Sequence, residues 1–263
     1  MSSSTSTVGG AIRRDDGAGG GRLGRRMSGL AVALGCVLFV GGFAWAAVVY
    51  RPYTVPTDSM KPTVSPGDKV LAQHATGAEV RRGDVVVFRD KLWGDEPMVK
   101  RVVGVGGDVV ACCDKQGRLT VNGSPVDEDY LAGGLSASLE HFRSDVPGGE
   151  LFLLGDNRNV SLDSRVHLED AQQGAVPASD VEARVVATVW PLGRTGMLPR
   201  TSAFGAVPAS GGAGGSGGGG GSGGGLPSQG PLEWLVVAVI AGAALILGGA
   251  AYGPLAGLAR RRR

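Results

Sequence analysis

The sequence predicts a mainly β protein: a compact β-sheet or barrel-like domain flanked by two transmembrane helices. Two long apolar blocks, one near each end of the 263-residue chain, predict the helices. The domain is predicted by short valine-rich runs between about Val55 and Leu198, separated by Gly-Asp and Asn-Gly turn signals. No helical period of comparable length interrupts these runs. A segment of this length and texture is typical of a sheet or barrel around one core.

The first block, residues 29–50, contains no charged side chain, and the second, residues 231–253, contains only Glu233 near its start. A helix that rises 1.5 Å per residue needs about 20 apolar residues to cross about 30 Å of hydrocarbon. Neither block has a polar face, and a small domain could hardly enclose two helices that are apolar all round. We therefore predict that both blocks span a membrane.

Arginines on the outer side of each block predict the orientation of the chain. The positive-inside rule places both termini in the cytoplasm and the domain at residues 51–200 outside it, so we expect a multi-pass protein of the plasma membrane. The net charge of +2 adds little, because this topology explains the basic residues that matter, and no basic-aromatic stripe predicts a nucleic-acid partner. The arginines concerned are Arg13, Arg14, Arg22, Arg25 and Arg26 before the first block and Arg260, Arg261, Arg262 and Arg263 after the second.

The tripeptide Ala44-Trp45-Ala46 resembles the small-residue cleavage site of a secretory signal. The apolar run is longer than an ordinary signal core, however, and it continues through Ala47, Val48 and Val49. These features favour an uncleaved membrane anchor.

Three segments outside the domain are polar or low in complexity. Residues 1–28 are predicted to form a disordered cytoplasmic tail, because they contain too few apolar side chains to offset ordering entropy. Residues 201–230 are rich in Gly and Ser and are predicted to form a flexible linker. Residues 254–263 are predicted to form a basic cytoplasmic tail.

Within the domain, three segments carry unusual polar residues: "PTDSMKPT" from Pro56, "VKRVVGVGGD" from Val99 and "GDNRNVSLDSR" from Gly155. Each has an ordinary explanation when it is taken alone. The first is a serine in a turn before proline, the second a solvated strand lysine, and the third a polar loop with an Asp-Arg pair. Short motifs match by accident, so only their combination carries weight.

In this order, after an N-terminal span, the three segments resemble the type I signal peptidases of bacteria. The resemblance covers roughly residues 52–190 and departs from many relatives at "GVGGD", where they have a proline before the last Gly-Asp. It implies a largely β-sheet catalytic domain that faces outward. It also implies that Ser59 is the nucleophile and Lys100 the general base.

The same resemblance implies supporting roles in the third segment and beside the nucleophile. Ser161 would hydrogen-bond the lysine amine, Asp163 and Arg165 would pair to hold the loop, and Asp156 would be a structural anchor. Thr57, two residues before the nucleophile, would stabilise the oxyanion together with the backbone N–H of Ser59. Asp58 adds a charge that would oppose an oxyanion if it pointed inward.

A lysine acts as a general base only if it is neutral at working pH, and free lysine has a pKa of about 10.4. Burial lowers that pKa because it removes the water that favours the ammonium form. Lys100 lies in a valine-rich run, and strand alternation places it on one face with Val102. This placement is consistent with an apolar pocket.

Histidine is the commoner base in serine hydrolases, so His74, His141 and His167 need to be weighed. None lies in a recognisable motif, and each is expected to have no catalytic role. His141 and His167 lie in polar stretches that are predicted to be at the surface. No metal-ligand spacing is present, and we expect neither a metal nor another cofactor. Cys36 is predicted to be a small apolar filler in the first span. Adjacent Cys112 and Cys113 are not expected to bridge each other, because that geometry is strained.

The resemblance implies a membrane-bound serine endopeptidase that removes N-terminal signal peptides from secreted preproteins after Ala-x-Ala-like sites. Its partners would be preproteins and membrane lipid, and shallow pockets would exclude larger side chains. Two alternatives stay open at this point. The chain could be a membrane-tethered serine hydrolase of different specificity, or an inactive relative that only binds signal segments.

Overall fold

The computed structural model describes residues 19–133, 136–209 and 232–261. In this part of the chain the structure is mainly antiparallel β-sheet with one long helix at each end, which confirms the predicted fold class. The chain divides into two compact units, one made of the two helices and the other of the strands.

Helix α1 runs over Gly19–Val49 and helix α2 over Leu232–Arg261. Each contains a segment long and apolar enough to cross a membrane, Arg26–Val49 in α1 and Trp234–Tyr252 in α2. Both helices extend beyond the predicted spans, into residues assigned to the N-terminal and C-terminal tails. Adding residues to an existing helix costs little compared with starting one, and arginine is a good helix former. The remaining N-terminal tail, residues 1–18, lies outside the described residues.

The predicted linker begins too early. Phe204 and Val207 are buried in the core of the β unit, so the residues up to 209 belong to the folded domain. Two apolar side chains in an otherwise polar stretch recover hydrophobic free energy by packing on that core, which a composition count does not weigh. Residues 210–231 lie outside the described residues.

The described residues contain two antiparallel sheets. The strands are β1 Tyr50–Thr54, β2 Lys69–His74, β3 Val85–Phe88, β4 Met98–Val105, β5 Val109–Cys112, β6 Leu119–Val121, β7 Ser124–Pro125, β8 Phe142–Asp145, β9 Glu150–Leu154, β10 Ala175–Pro177, β11 Val181–Trp190 and β12 Gly196–Met197. The larger sheet has the order β1-β2-β11-β3-β4-β9-β10, with β12 paired to β11, and the smaller has the order β7-β6-β5-β8. Short 3-10 helices occupy Gly77–Glu79, Ser164–His167, Ala178–Asp180 and Leu192–Arg194.

The turn that joins β6 to β7 follows from its sequence. Asn122 and Gly123 both have positive φ, 52° and 77°. A two-residue hairpin turn of this kind needs positive φ at both positions, and Asn-Gly supplies it at the lowest steric cost. The Asn-Gly signal in the sequence therefore marks a real hairpin.

The centre of the large sheet is covered on both faces. Every residue of β3 is buried, and β4 is buried at all but its first and last positions. Val87 and Val99 pack on one side with Met60, whereas Val86 and Val102 pack on the other with Leu153. A strand covered on both faces reads as a continuous apolar run, as "VVVF" does. Lys100, in the middle of β4, is therefore enclosed by the core.

The prediction that the adjacent cysteines do not bridge is wrong. Cys112 and Cys113 form a disulfide at the end of β5. Cys112 is 5% exposed and lies in the core beside Leu119, and Cys113 packs against the same core. The prediction rested on the average geometry of neighbouring residues, whereas the backbone here brings the two sulfurs together. Cys36 is a free cysteine on the exposed surface of α1.

Candidate active site

Ser59 lies in a turn after β1 and is 7% exposed. The third polar segment holds this turn in place, because the Asn157 backbone N–H donates to the Ser59 carbonyl oxygen at 2.9 Å. The Asn157 side-chain amide also donates to the Asp58 carbonyl at 3.2 Å. Two segments about 100 residues apart in sequence are thus joined at the serine backbone. Sequence reasoning missed Asn157, although it lies inside the quoted segment.

Lys100 approaches Ser59 from β4. Its Nζ is 3.0 Å from Ser59 Oγ, within hydrogen-bond distance, and the lysine residue is 5% exposed. Its partner across the strand pair is Val86, which is fully buried. Met98 and Val102, two residues to either side, belong to the same apolar cluster as Val86. The amine therefore meets the hydroxyl in surroundings that contain little water.

The burial of Lys100 favours the neutral form of its amine. Burial lowers the pKa of the amine from its ordinary value of 10.5. The positive charge of Arg165 also lowers this pKa, whereas the carboxylates of Asp163 and Asp156 raise it and oppose the effect of burial. A neutral amine has a free lone pair, so the Ser59 hydroxyl can donate its proton to Nζ.

Thr57 is the second hydroxyl at this site. Its Oγ1 lies 3.1 Å from Ser59 Oγ, and the residue is exposed. A hydroxyl at this distance can donate a hydrogen bond to an atom that approaches Ser59 from solvent. The structure thus brings Thr57, Ser59 and Lys100 together, as their assigned roles require.

Asp163 and Arg165 form the ion pair that the family resemblance implied. Asp163 Oδ1 accepts from Arg165 Nε at 2.8 Å, and Oδ2 accepts from Arg165 Nη2 at 2.9 Å and from the Gly155 backbone N–H at 3.0 Å. The Arg165 guanidinium also donates to the Arg158 carbonyl at 2.8 Å. These bonds tie both ends of the third segment together and set two opposite charges near the lysine.

Ser161 does not make the expected bond to the lysine amine. It is buried, and among the described residues its Oγ has no hydrogen-bond partner. The Lys100 amine instead bonds Ser59. The sequence motif correctly brought Ser161 into the same buried loop, but a motif does not determine which of two nearby hydroxyls the amine meets.

Asp156 anchors a buried network on the other face of β4. Arg101 donates from Nε to Asp156 Oδ1 at 2.8 Å and from Nη2 to Oδ2 at 2.6 Å. Thr63 donates to the same carboxylate at 2.5 Å, and the Arg101 guanidinium lies 4.0 Å from the centre of the Tyr130 ring. Because neighbouring strand residues point to opposite faces, Arg101 holds the serine and third segments together behind the lysine. Sequence reasoning gave Arg101 no role, although it directly follows the proposed base.

A second buried ion pair supports the same loop. Arg158 Nη2 donates to Glu128 Oε1 at 2.5 Å and Nη1 to Oε2 at 2.9 Å, while Arg158 Nε donates to the Gly155 carbonyl at 2.9 Å. The Arg158 and Glu128 side chains are only 1% and 4% exposed. The motif contains Arg158 and could have indicated it, whereas nothing in the sequence around Glu128 marks it as its partner.

The histidines lie elsewhere in the described structure. His74 and His141 are exposed. The His167 ring stacks on Trp93, with centroids 4.4 Å apart, and pairs with Asp170 at 2.9 Å. Within the described residues, Ser59 Oγ shares side-chain hydrogen bonds with Thr57 and Lys100. In the same residues no cluster of His, Cys, Asp and Glu is arranged to hold a metal ion.

Comparisons with known proteins show which family and which proteins this chain is similar to. A family model described as signal peptidase, peptidase S26, matches residues 26–190. The chain is similar to the probable signal peptidase I of Mycobacterium leprae (strain TN), with 31% identity over 206 residues, 56% of this chain and 71% of that protein. It is also similar to signal peptidase IB of Staphylococcus aureus (strain COL), with 32% identity over 185 residues, 62% of this chain and 86% of that protein.

A crystal structure of a signal peptidase I from Enterococcus faecalis V583 is 28% identical to this chain. The match covers 40% of this chain and 96% of that one, with a TM-score of 0.33.

Proposed function

This chain belongs to the signal peptidase family, peptidase S26, and we propose that Ser59 is its nucleophile and Lys100 its general base. The family membership makes it a serine endopeptidase that acts on secretory preproteins and removes their signal peptides. The pairing of serine with lysine, the cleavage-site preference and the membrane topology are the finer parts of the proposal.

The observation that carries the proposal is the 3.0 Å distance between Lys100 Nζ and Ser59 Oγ inside a buried site. A serine hydroxyl is a weak nucleophile unless a neighbouring base takes its proton. A base must lie within about 2.6–3.2 Å of the proton donor and must be unprotonated. Lys100 meets the distance criterion, and burial lowers its pKa towards working pH.

The proposed reaction has two steps. In the first, Ser59 Oγ bonds to the scissile carbonyl carbon while its proton passes to Lys100 Nζ. Thr57 Oγ1 and the Ser59 backbone N–H stabilise the oxyanion. The C–N bond then breaks, Lys100 returns the proton to the leaving amine, and an acyl-enzyme remains. In the second, water attacks the ester carbon while Lys100 Nζ accepts its proton. The bond from that carbon to Ser59 Oγ then breaks, Lys100 returns the proton to Oγ, and the signal peptide leaves with a free carboxyl group.

We place the catalytic domain outside the cytoplasm, with both termini inside, because basic residues flank both apolar helices on their outer sides. A preprotein held in the same membrane by its apolar signal segment then presents its cleavage site on that side. Shallow pockets that admit only small residues would give a preference for Ala-x-Ala-like sites.

The test uses full-length protein purified in detergent and one preprotein with an Ala-x-Ala site. Ser59→Ala and Lys100→Ala each lower the rate of cleavage by about 10⁴-fold or more, as loss of a nucleophile or base does in serine proteases. The His74→Ala/His141→Ala/His167→Ala variant retains activity. Thermal unfolding of each variant shows that the fold persists.

Three outcomes overturn the proposal in different ways. Activity in Lys100→Ala, or its loss in the triple histidine variant, shows that the base is wrong. Cleavage of other peptides but not of Ala-x-Ala preproteins shows a hydrolase of different specificity. A cellular effect that survives Ser59→Ala indicates a protein that only binds signal segments.

A further inference from the structure

The two long helices meet along one line of small residues. On α1 these residues are Ser28, Gly35 and Gly42, seven positions apart. On α2, Gly242 and Gly249 have the same spacing. Contacts run antiparallel, since Ser28 meets Gly249 and Gly35 meets Gly242. We call this line the glycine seam.

Gly35 and Gly242 mark a close approach of the two helix backbones. A Cβ atom on Gly35 would lie 2.8 Å from the Gly242 carbonyl oxygen, and one on Gly242 would lie 2.7 Å from the Phe39 backbone nitrogen. Both glycines are buried, although most of the two helices is exposed. Any larger side chain at either position would push the backbones apart.

The two helices are also in close contact at both ends of the seam. The Ser28 hydroxyl donates to the Gly249 carbonyl at 2.6 Å, which is a polar bond between the helices. A Cβ on Gly249 would lie 2.6 Å from Val32 Cγ2. At the other end, a Cβ on Gly42 would lie 3.0 Å from Val239 Cγ2.

Glycines outside the seam show that the contact is limited to one face. A Cβ on Gly29, Gly41 or Gly248 would meet nothing within 4 Å. Each of these is one residue from a seam position and therefore about 100° around its helix. The large exposed apolar side chains lie away from the seam contacts, among them Leu30, Leu34, Val37, Phe43, Val237, Ile240 and Leu247.

Small residues at the helix contact and large apolar side chains on the exposed faces are typical of a helix pair in lipid. Hydrocarbon solvates large apolar side chains as well as a protein core does, so helices in a membrane associate through close backbone packing and hydrogen bonds. A seven-residue spacing keeps the small residues facing the partner helix over several turns.

We propose that α2 is the intramembrane partner of α1, docked along the glycine seam in a fixed antiparallel register within one chain. The inference rests on the proposed membrane location of both helices. It assigns the C-terminal span a structural function: it covers the small-residue face of α1 and fixes the anchor of the catalytic domain as a hairpin of two spans. The apolar helix of a preprotein or a second copy must then bind elsewhere.

Disulfide cross-linking of the full chain in membranes tests the pairing. The background carries Cys36→Ser and a specific protease site within residues 210–225, so that a link between the helices holds two fragments together after cutting. Ser28→Cys with Gly249→Cys is the seam pair. Gly29→Cys with Gly248→Cys is the control pair at the same depth, with both positions outside the seam.

The seam pair yields linked fragments at least fivefold more efficiently than the control pair, and the product has the mass of one chain. Equal linking of the two pairs overturns the docked register. A product with the mass of two chains overturns docking within one chain.

A second comparison uses association without cross-links. After the linker is cut in mild detergent, the two fragments of Gly41→Ile/Gly248→Ile copurify as in the parent, whereas those of Gly35→Ile/Gly242→Ile separate. Copurification of the seam variant contradicts the proposal. Preprotein cleavage is measured on the uncut parent chain and tests the roles of Ser59 and Lys100 independently of the helix pairing. Ser59→Ala leaves the cross-linking efficiency unchanged.

Discussion

Gly155 packs so closely against Ser161 that a Cβ atom at position 155 would overlap Ser161 Oγ. The same atom would lie 2.5 Å from the carbonyl oxygen of Ser59. One glycine thus sets the spacing between the nucleophile turn and the loop that carries Asp163. Its role is steric, and it follows from the absence of a side chain.

We expect Gly155→Ala to displace Ser59 from Lys100 and to lower kcat by about 10²-fold, the effect of misplacing a catalytic group by about 1 Å. Gly148→Ala is the matched control, because a Cβ there meets nothing within 4 Å. Preprotein cleavage by both variants checks this. Equal activity in the two variants would show that the loop accommodates the added methyl group without displacing Ser59.

The pH dependence of cleavage depends on Arg165. Because the charge of Arg165 lowers the pKa of Lys100, Arg165→Met raises that pKa and leaves a smaller fraction of the amine neutral. The rising limb of activity therefore moves to higher pH. Arg165→Lys keeps the charge and shifts the limb less. Profiles of kcat/KM against pH measure this, and a limb that stays in place in Arg165→Met would contradict the electrostatic role.

The pair of Arg101 and Asp156 is a stability determinant. Its side chains are 3% and 0% exposed, and removing one partner leaves the other charge buried and unpaired. We expect Asp156→Asn to reduce the free energy of unfolding by about 3–5 kcal/mol. Asp145→Asn, which breaks an exposed pair with Arg143, changes it by less than about 1 kcal/mol. Denaturant unfolding distinguishes the two, and similar losses would refute the assignment.

Lys100 stabilises the fold less than an apolar residue would. Its pKa is lowered in the folded state, so between that pKa and about 10.4 the unfolded chain binds more protons and stability rises with pH. The destabilising contribution is fully present below the folded pKa and disappears above the unfolded one.

Lys100→Met therefore raises Tm although it abolishes activity, and the gain is largest at low pH and shrinks as the pH rises. Lys115→Met, at an exposed position, leaves Tm within about 2 °C at every pH. Melting curves across a pH series check this. A gain for Lys100→Met that does not depend on pH would indicate better packing instead of a relieved charge.

Local patterns predicted much of this molecule because they depend on neighbours in sequence. The Asn122-Gly123 hairpin, the two apolar helices and the burial of the strand around Lys100 are of this kind. Partners distant in sequence were not predictable. Glu128, the partner of Arg158, lies in an ordinary acidic stretch, and no local signal shows which arginine approaches it.

The amino-acid sequence by itself determined the fold class, the apolar helices and the three segments that contain the site, because period, length and motif order are local properties. Only the tertiary structure decided that the amine of Lys100 meets Ser59, that Ser161 Oγ has no hydrogen-bond partner among the described residues, and that Phe204 and Val207 join the core. Hydrogen bonds and packing depend on distances of a few tenths of an ångström between groups that lie far apart along the chain. Those distances are set only when the sheets close around them.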